Sequence, residues 1–231
     1  MYVVITGASK GIGLEIVKQF LEDEETSVLA ISRSSKELNI LKKKYPNSLT
    51  TIYGDITSNS TINKIFAALQ SKKIKVDVLI NNAGAIVNKP FAKITGKELS
   101  LVYNVNILAP FLLIQKLLPL MGNKNRSHVI NIGSMGGFQG SSKFAGLSAY
   151  SSSKSALAGL TECLAEELKE KNIAVNCLAI GAVQTEMLNK AFPGYKAPLQ
   201  PKQMANYIVE FAITGHQYYN GKILPVSSTT P

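Results

Sequence analysis

The sequence predicts an α/β fold, a single-domain doubly wound sheet of about seven mostly parallel strands with helices on both faces. Short apolar, β-branched runs alternate with segments of helical period from one end of the chain to the other. The first such run, Tyr2-Val3-Val4-Ile5, leads directly into Thr6-Gly7-Ala8-Ser9-Lys10-Gly11-Ile12-Gly13. Leu14, Ile16, Val17, Phe20 and Leu21 then recur at helical spacing. The chain has 231 residues, 45% of them hydrophobic, which suits one domain with a sizeable core. No repeat, linker or composition break divides residues 1–231.

A strand, a glycine-rich turn and a helix in succession place bare backbone N–H groups at a helix N-terminus, where the dipole favours an anion. Gly7 allows a positive φ in the turn, Gly11 lets a phosphate approach the backbone, and Gly13 lets the helix lie close on the strand. An ordinary strand-to-helix connection would not need three glycines and a threonine in eight residues. The spacing is Gly-x-x-x-Gly-x-Gly, not Gly-x-Gly-x-x-Gly, and no Gly-Lys-Ser/Thr makes it a P-loop.

The second strand, Ser27 to Ser32, ends at Ser32-Arg33, where a dinucleotide fold reads the adenosine ribose. A carboxylate there selects NAD, whereas a nearby cation accommodates a 2′-phosphate. Arg33 stands there, and Lys10 adds a second cation from the glycine turn, so the pair favours NADP(H). Lys36 to Tyr45 is a helix closed by Pro46, and Thr50 to Tyr53 is a strand followed by Gly54-Asp55-Ile56. Asp55 lies at the carboxyl end of that strand, though a turn or helix-cap role competes for it. Ser58 to Gln70 is a helix with Ile62, Ile65, Phe66 and Leu69 on one face. Val76 to Ile80 is a buried strand that ends in Asn81-Asn82-Ala83-Gly84.

A long helix spans about Gly96 to Leu120, and Pro110 predicts a kink in it. Asn104 and Asn106 fall among its apolar residues, where a buried amide needs partners. Val129 to Gly133 is a strand that presents Ser134. After a glycine-rich stretch, Tyr150-Ser151-Ser152-Ser153-Lys154 opens a helix, and its i, i+4 spacing points Tyr150 and Lys154 the same way. A second Tyr-x-x-x-Lys, Tyr218 to Lys222, encloses the turn pair Asn220-Gly221, so its side chains need not converge. Ile173 to Ala179 is a strand, followed by Ile180-Gly181-Ala182-Val183-Gln184-Thr185 and a variable lid-like segment of about residues 186–200. Pro201 to Thr214 is a helix, and Lys222 to Val226 is the last strand.

These motifs, in this order and over nearly the whole chain, resemble the short-chain dehydrogenase/reductase family, which has a Rossmann-like sheet. The resemblance implies an NADP(H) cofactor held by Gly7, Ser9, Lys10, Gly11, Ile12, Gly13, Ser32, Arg33, Asp55, Ile56, Asn82, Ala83, Gly84, Gly181, Val183 and Thr185, with Tyr150 and Lys154 also touching it. In such a site the matching Asp55 bonds the adenine amino group and the matching Thr185 contacts the nicotinamide amide. Tyr150 is the general acid/base, Lys154 lowers its pKa, Ser134 orients the substrate oxygen, and Asn106 holds a water in a proton relay. The chain departs from the family at Ile180, where proline is usual, and at the ending Ser227-Ser228-Thr229-Thr230-Pro231, where Asp-Gly-Gly is common. The implied activity is interconversion of a carbonyl and an alcohol by a homodimer or homotetramer. The alternative is a non-catalytic NADP(H)-binding regulatory protein on the same scaffold.

The formal net charge is +10, with clusters at Lys42-Lys43-Lys44 and Lys72-Lys73-Lys75. No nucleic-acid motif accompanies them and they sit near helix ends, so a solvated basic surface is expected, without nucleic acid or membrane as partner. The longest apolar run, Ile107 to Ile114, is too short to span a bilayer, and no secretory signal precedes the first strand. Cys163 and Cys177 are expected to be buried free thiols in the cytoplasm, and no metal site is expected.

Overall fold

The computed structural model describes residues 1–122 and 126–227, so tail residues 228–231 lie outside it. Seven strands form one all-parallel sheet: β1 Tyr2–Thr6, β2 Ser27–Ser32, β3 Leu49–Tyr53, β4 Val78–Asn81, β5 Ser127–Ile132, β6 Ile173–Ile180 and β7 Ile223–Val226. Their order is β3-β2-β1-β4-β5-β6-β7. The chain therefore reverses its winding direction between β1 and β4, and a crevice opens there at the carboxyl ends of the strands.

Alternate residues of each strand feed two cores. Val3, Ile5, Val28, Ala30 and Ile80 face helices α1 (Gly11–Phe20) and α8 (Pro201–Thr214). Val4, Leu29, Leu79, Val129 and Val175 face α3 (Asn59–Ser71), α5 (Ala109–Leu117) and α6 (Ser148–Glu167). Both faces of the sheet are covered, so the strands are mostly apolar, and the polar residues within them, among them Thr6, Ser32, Asn81, His128, Asn131 and Asn176, are buried. The remaining helices are α2 (Lys36–Lys44), α4 (Gly96–Tyr103) and α7 (Glu186–Ala191); the last forms within the segment read as variable and lid-like. The Lys42, Lys43 and Lys44 cluster occupies the last turn of α2, where cations complement the helix dipole.

The long helix departs from expectation in one instructive way. Its irregularity lies at Asn104–Leu108, which is wound as a π turn between α4 and α5, with the Ala109 N–H donating to the Asn104 carbonyl. Pro110 itself sits in the first turn of α5. A proline ring crowds the carbonyl four residues before it, here that of Asn106, so the helix widens on the N-terminal side of the proline instead of bending at it. Asn104 is exposed and Asn106 is fully buried. The run Gly96–Leu120 has the length and mean hydropathy, 1.5, that crossing a membrane would take. Its inner residues Val102, Ala109, Leu113 and Leu117 are packed inside the protein.

Two smaller expectations need correction. Strand β6 runs through Ile180, which pairs with Val226, so the strand extends one residue beyond Ala179. Cys177 is buried but Cys163 is exposed, because the inward face of α6 is set by Leu157, Thr161 and Ala165 and residue 163 falls off it. Both thiols are free.

Candidate active site

The crevice is walled by the two glycine motifs, and the chain itself explains some of these glycines. Gly7 has φ +66°, and a Cβ there would come within 2.8 Å of the Ala83 Cα. A Cβ on Gly13 would sit 2.3 Å from the Gly7 carbonyl oxygen, which is why α1 can lie so close on β1. Gly84 is different: a Cβ there would meet nothing nearer than Asn106 Oδ1 at 3.7 Å and Met187 Cε at 3.8 Å. Gly11 has φ +56° and faces only the Thr185 methyl at 3.4 Å. Between Gly11 and Gly84 there is consequently room for a ligand against bare backbone. Lys10, at the N-cap of α1, makes no side-chain cap and no acid lies in the first turn, so the N–H groups there are available to an anion. Ser9 is half-buried in the turn and Ile12 is buried beneath it.

One clasp sets the distance between the walls. The Thr6 hydroxyl accepts from the Asn82 N–H at 3.1 Å and the Ala83 N–H at 3.0 Å. The Asn82 side chain donates back to the carbonyls of Thr6 at 3.0 Å and Gly7 at 3.2 Å. Asn81 extends the tie across the sheet by donating to Asn131 Oδ1 at 2.8 Å, and Asn131 donates to the Thr161 hydroxyl of α6 at 2.9 Å.

At the far end of the crevice, Ser32 is buried and its hydroxyl donates to the Ser34 carbonyl, while Arg33 is exposed. Ile56 is buried beside Asp55. One Asp55 oxygen accepts from the Thr57 N–H at 2.9 Å and the Thr57 hydroxyl at 2.8 Å, the arrangement of a turn aspartate. Those bonds to Thr57 hold its carboxyl below the ordinary range, with Arg33 adding a smaller pull.

Three side chains converge at the near end. Ser134 caps the short turn Met135–Gly137, its hydroxyl accepting from the Gly136 N–H at 3.2 Å. Tyr150 and Lys154 share the inward face of α6, with the Lys154 Nζ 6.0 Å from the tyrosine ring centroid. Lys154 is buried and donates to the Ile132 carbonyl at 2.7 Å. Burial pulls its ammonium down to about 8, and burial pushes the Tyr150 phenol up against a smaller opposing pull from Ser134. The expected lowering of Tyr150 by Lys154 is therefore not found in this arrangement, because desolvation acts on both groups and the ammonium is turned toward Ile132. Below them, burial pushes the Cys177 thiol up to about 11.

The Asn106 side chain is fully engaged. Its oxygen accepts from the Ala85 N–H at 2.8 Å, and its amide donates to the Ala85 carbonyl and to the Ser153 hydroxyl, both at 2.9 Å. Ser153 in turn donates to the Tyr150 carbonyl at 2.7 Å. The Asn106 backbone carbonyl has no α-helical donor, because residue 110 is proline. Gly181 donates its N–H to the Val226 carbonyl at 2.9 Å, Val183 is buried and bridges to Leu199, and Thr185 caps α7 by accepting from the Leu188 N–H at 3.2 Å. The second Tyr-x-x-x-Lys does not converge: Tyr218 is 76% exposed, and Gly221, with φ +71°, turns the chain before Lys222.

Thr6, Asn88 and Ser153 also hold the site together, although the sequence motifs do not single them out. Asn88 donates to the Ala191 carbonyl of α7 at 2.8 Å and fills the space left by Gly146, while the Lys89 N–H reaches the Gly146 carbonyl at 3.0 Å. Thr6 and Ser153 stand inside quoted motifs, and their roles depend on partners from distant segments.

A glycine-lined crevice beside a Ser-Tyr-Lys cluster on a parallel sheet of this order is the arrangement of an oxidoreductase with a Rossmann-like nucleotide-binding fold. The family model for short chain dehydrogenase matches residues 1–196, and the chain belongs to that family. It is 32% identical over 205 residues to a 3-oxoacyl-(acyl-carrier-protein) reductase of Buchnera aphidicola, covering 89% of this chain and 79% of the relative. A 4-hydroxyisoleucine dehydrogenase mutant complexed with NADH and succinate superposes with a TM-score of 0.88 at 26% identity, covering 100% of this chain and 98% of the other. An L-sorbose reductase from Gluconobacter frateurii complexed with NADPH and L-sorbose shares the fold, with a TM-score of 0.86 at 24% identity, covering 99% and 95%.

The buried Lys154 has a specific consequence for stability. Between about pH 8 and 10.5 the unfolded chain holds a proton on this lysine that the folded chain has lost, so its contribution to stability rises with pH across that window. The unfolding free energies of the unsubstituted protein and Lys154→Met, measured in urea, should differ by a constant amount below about pH 8. Above it the difference should move in favour of the unsubstituted protein. A difference that does not change with pH would mean that the amine is solvated.

Proposed function

We propose that the chain is an NADP(H)-dependent oxidoreductase that interconverts a carbonyl and an alcohol, with Tyr150 as general acid/base. The observation that carries this reading is the convergence of Ser134, Tyr150 and Lys154 at the end of a crevice whose walls are bare at Gly11 and Gly84. Bound there, the nicotinamide dinucleotide supplies or accepts the hydride. Ser134 hydrogen-bonds the substrate oxygen and orients it. Tyr150, kept protonated by its burial, donates the phenolic proton to that oxygen in the reducing direction. Lys154, still largely charged at neutral pH, stabilises the phenolate that this leaves. The Asn106 carbonyl holds a water through which the proton is replaced.

The first turn of α1 would hold the cofactor's diphosphate, and Arg33 and Lys10 would receive a 2′-phosphate. No carboxylate stands at Ser32 to repel that phosphate. Residues 186–200 would cover the substrate, and the free thiols suit a reducing cytoplasm. The exposed Leu99, Leu101, Leu108, Phe111 and Leu112 form an apolar strip along α4 and α5 that a second copy would cover, which supports a dimer or tetramer.

Tyr150→Phe removes only the hydroxyl, so folding and cofactor binding should survive while turnover falls at least roughly 10²–10⁴-fold. Activity near that of the unsubstituted protein would eliminate the mechanism. For the cofactor, charge-assisted bonds of about 1.5–3 kcal/mol imply that NADPH binds roughly 10- to 100-fold more tightly than NADH. Competitive titration checks this, and equal or tighter binding of NADH would reduce Arg33 and Lys10 to surface charges. Sedimentation at micromolar concentration should show a species larger than a monomer.

A further inference from the structure

The lysine in the glycine turn is already engaged. Lys10 Nζ lies 2.7 Å from Glu186 Oε2, although 176 residues separate the two in sequence. Glu186 opens α7, and the residues on either side of it hold that turn over the crevice independently of the ion pair. The Thr185 methyl lies 3.4 Å from the Cβ position of Gly11, and Met187 Cε lies 3.8 Å from that of Gly84. The carboxylate is thus fixed at the mouth of the cradle, beside the cation that a 2′-phosphate would recruit.

We propose that Glu186 competes with the cofactor's 2′-phosphate for Lys10 and thereby limits how strongly the chain prefers the phosphorylated cofactor. This rests on the NADP(H) reading given above. A phosphate can use Lys10 only after the carboxylate gives it up, whereas the 2′-hydroxyl of NADH makes no such claim. Both side chains of the pair are mostly exposed, at 64% and 72%, and exposed pairs are weak, so the exchange tunes affinity and does not block binding. Lys190, one helical turn further along α7, lies within electrostatic reach of Glu186 and gives the carboxylate a neighbour once Lys10 has left. Glu186 is then a residue that tunes cofactor specificity through Lys10.

The test is calorimetric titration of NADPH and NADH into the unsubstituted protein, E186Q, K10M and the double variant, with thermal melts to verify folding. E186Q should tighten NADPH roughly two- to fivefold and leave NADH unchanged. K10M should weaken NADPH, and in the K10M background E186Q should have no further effect. If K10M weakens NADPH but E186Q does not tighten it, the competition is disproved while the cofactor reading stands. If K10M leaves NADPH unchanged, the competition falls together with the assigned use of Lys10. If the unsubstituted protein binds both cofactors equally, yet E186Q and K10M shift NADPH alone as described, the competition stands and the NADP(H) preference is disproved.

Discussion

The clasp between Thr6 and Asn82 is the constraint on which the rest of the site depends. Parallel strands end with their backbone groups facing the crevice, and each of those groups needs a partner. Here the ends of β1 and β4 partner each other through one hydroxyl and one amide side chain. This holds the Gly7 turn against Ala83 and fixes the width of the gap that begins at Gly11 and Gly84. The tie continues through Asn81, Asn131 and Thr161 into α6, the helix that carries Tyr150 and Lys154. The spacing of the glycine-lined walls and the seat of α6 are thus tied by neighbouring buried polar contacts, in which the Asn81 side-chain oxygen is the one acceptor left without a partner.

A second constraint enters from the π turn. Pro110 removes the α-helical donor for the Asn106 carbonyl, and the widened turn places the Asn106 side chain where it binds both backbone groups of Ala85 and the Ser153 hydroxyl. A helical irregularity thereby links the loop after β4 to the middle of the Tyr-x-x-x-Lys segment. Burial raises the phenol and lowers the ammonium, and the same packing that orders these groups favours their neutral forms.

Much of this was legible in the sequence because it is local. Strand–turn–helix punctuation, the glycine spacing and the i, i+4 relation of Tyr150 and Lys154 depend on neighbours a few residues away. They gave the doubly wound, mostly parallel sheet and the shared face of Tyr150 and Lys154 on α6. The π turn was not legible, since Pro110 predicts a disturbance but not on which side it falls or how it is absorbed. Asn88, which pins the loop after β4 to α7 and fills the hollow at Gly146, depends on three segments meeting. The Lys10–Glu186 pair likewise joins residues that no window of sequence contains together. Asp55 shows the opposite limit: its short-range partner, Thr57, was within view, and both a turn role and a ligand role remained open to it.

The glycines of the crevice fall into two kinds, and the difference bears on which substitutions the chain can accumulate. Gly7 and Gly13 are bounded by the protein's own backbone, so any larger residue there conflicts with folding whatever the protein goes on to do. Gly84 borders open space, with its nearest neighbours at ordinary contact distance. An alanine at Gly84 would be nearly invisible to a selection for stable folded protein and visible to a selection for activity. Relatives that have kept the scaffold but lost the chemistry should therefore drift first at Gly84 and last at Gly13, which makes this pair of positions a marker separating working enzymes from descendants that retain only the shape.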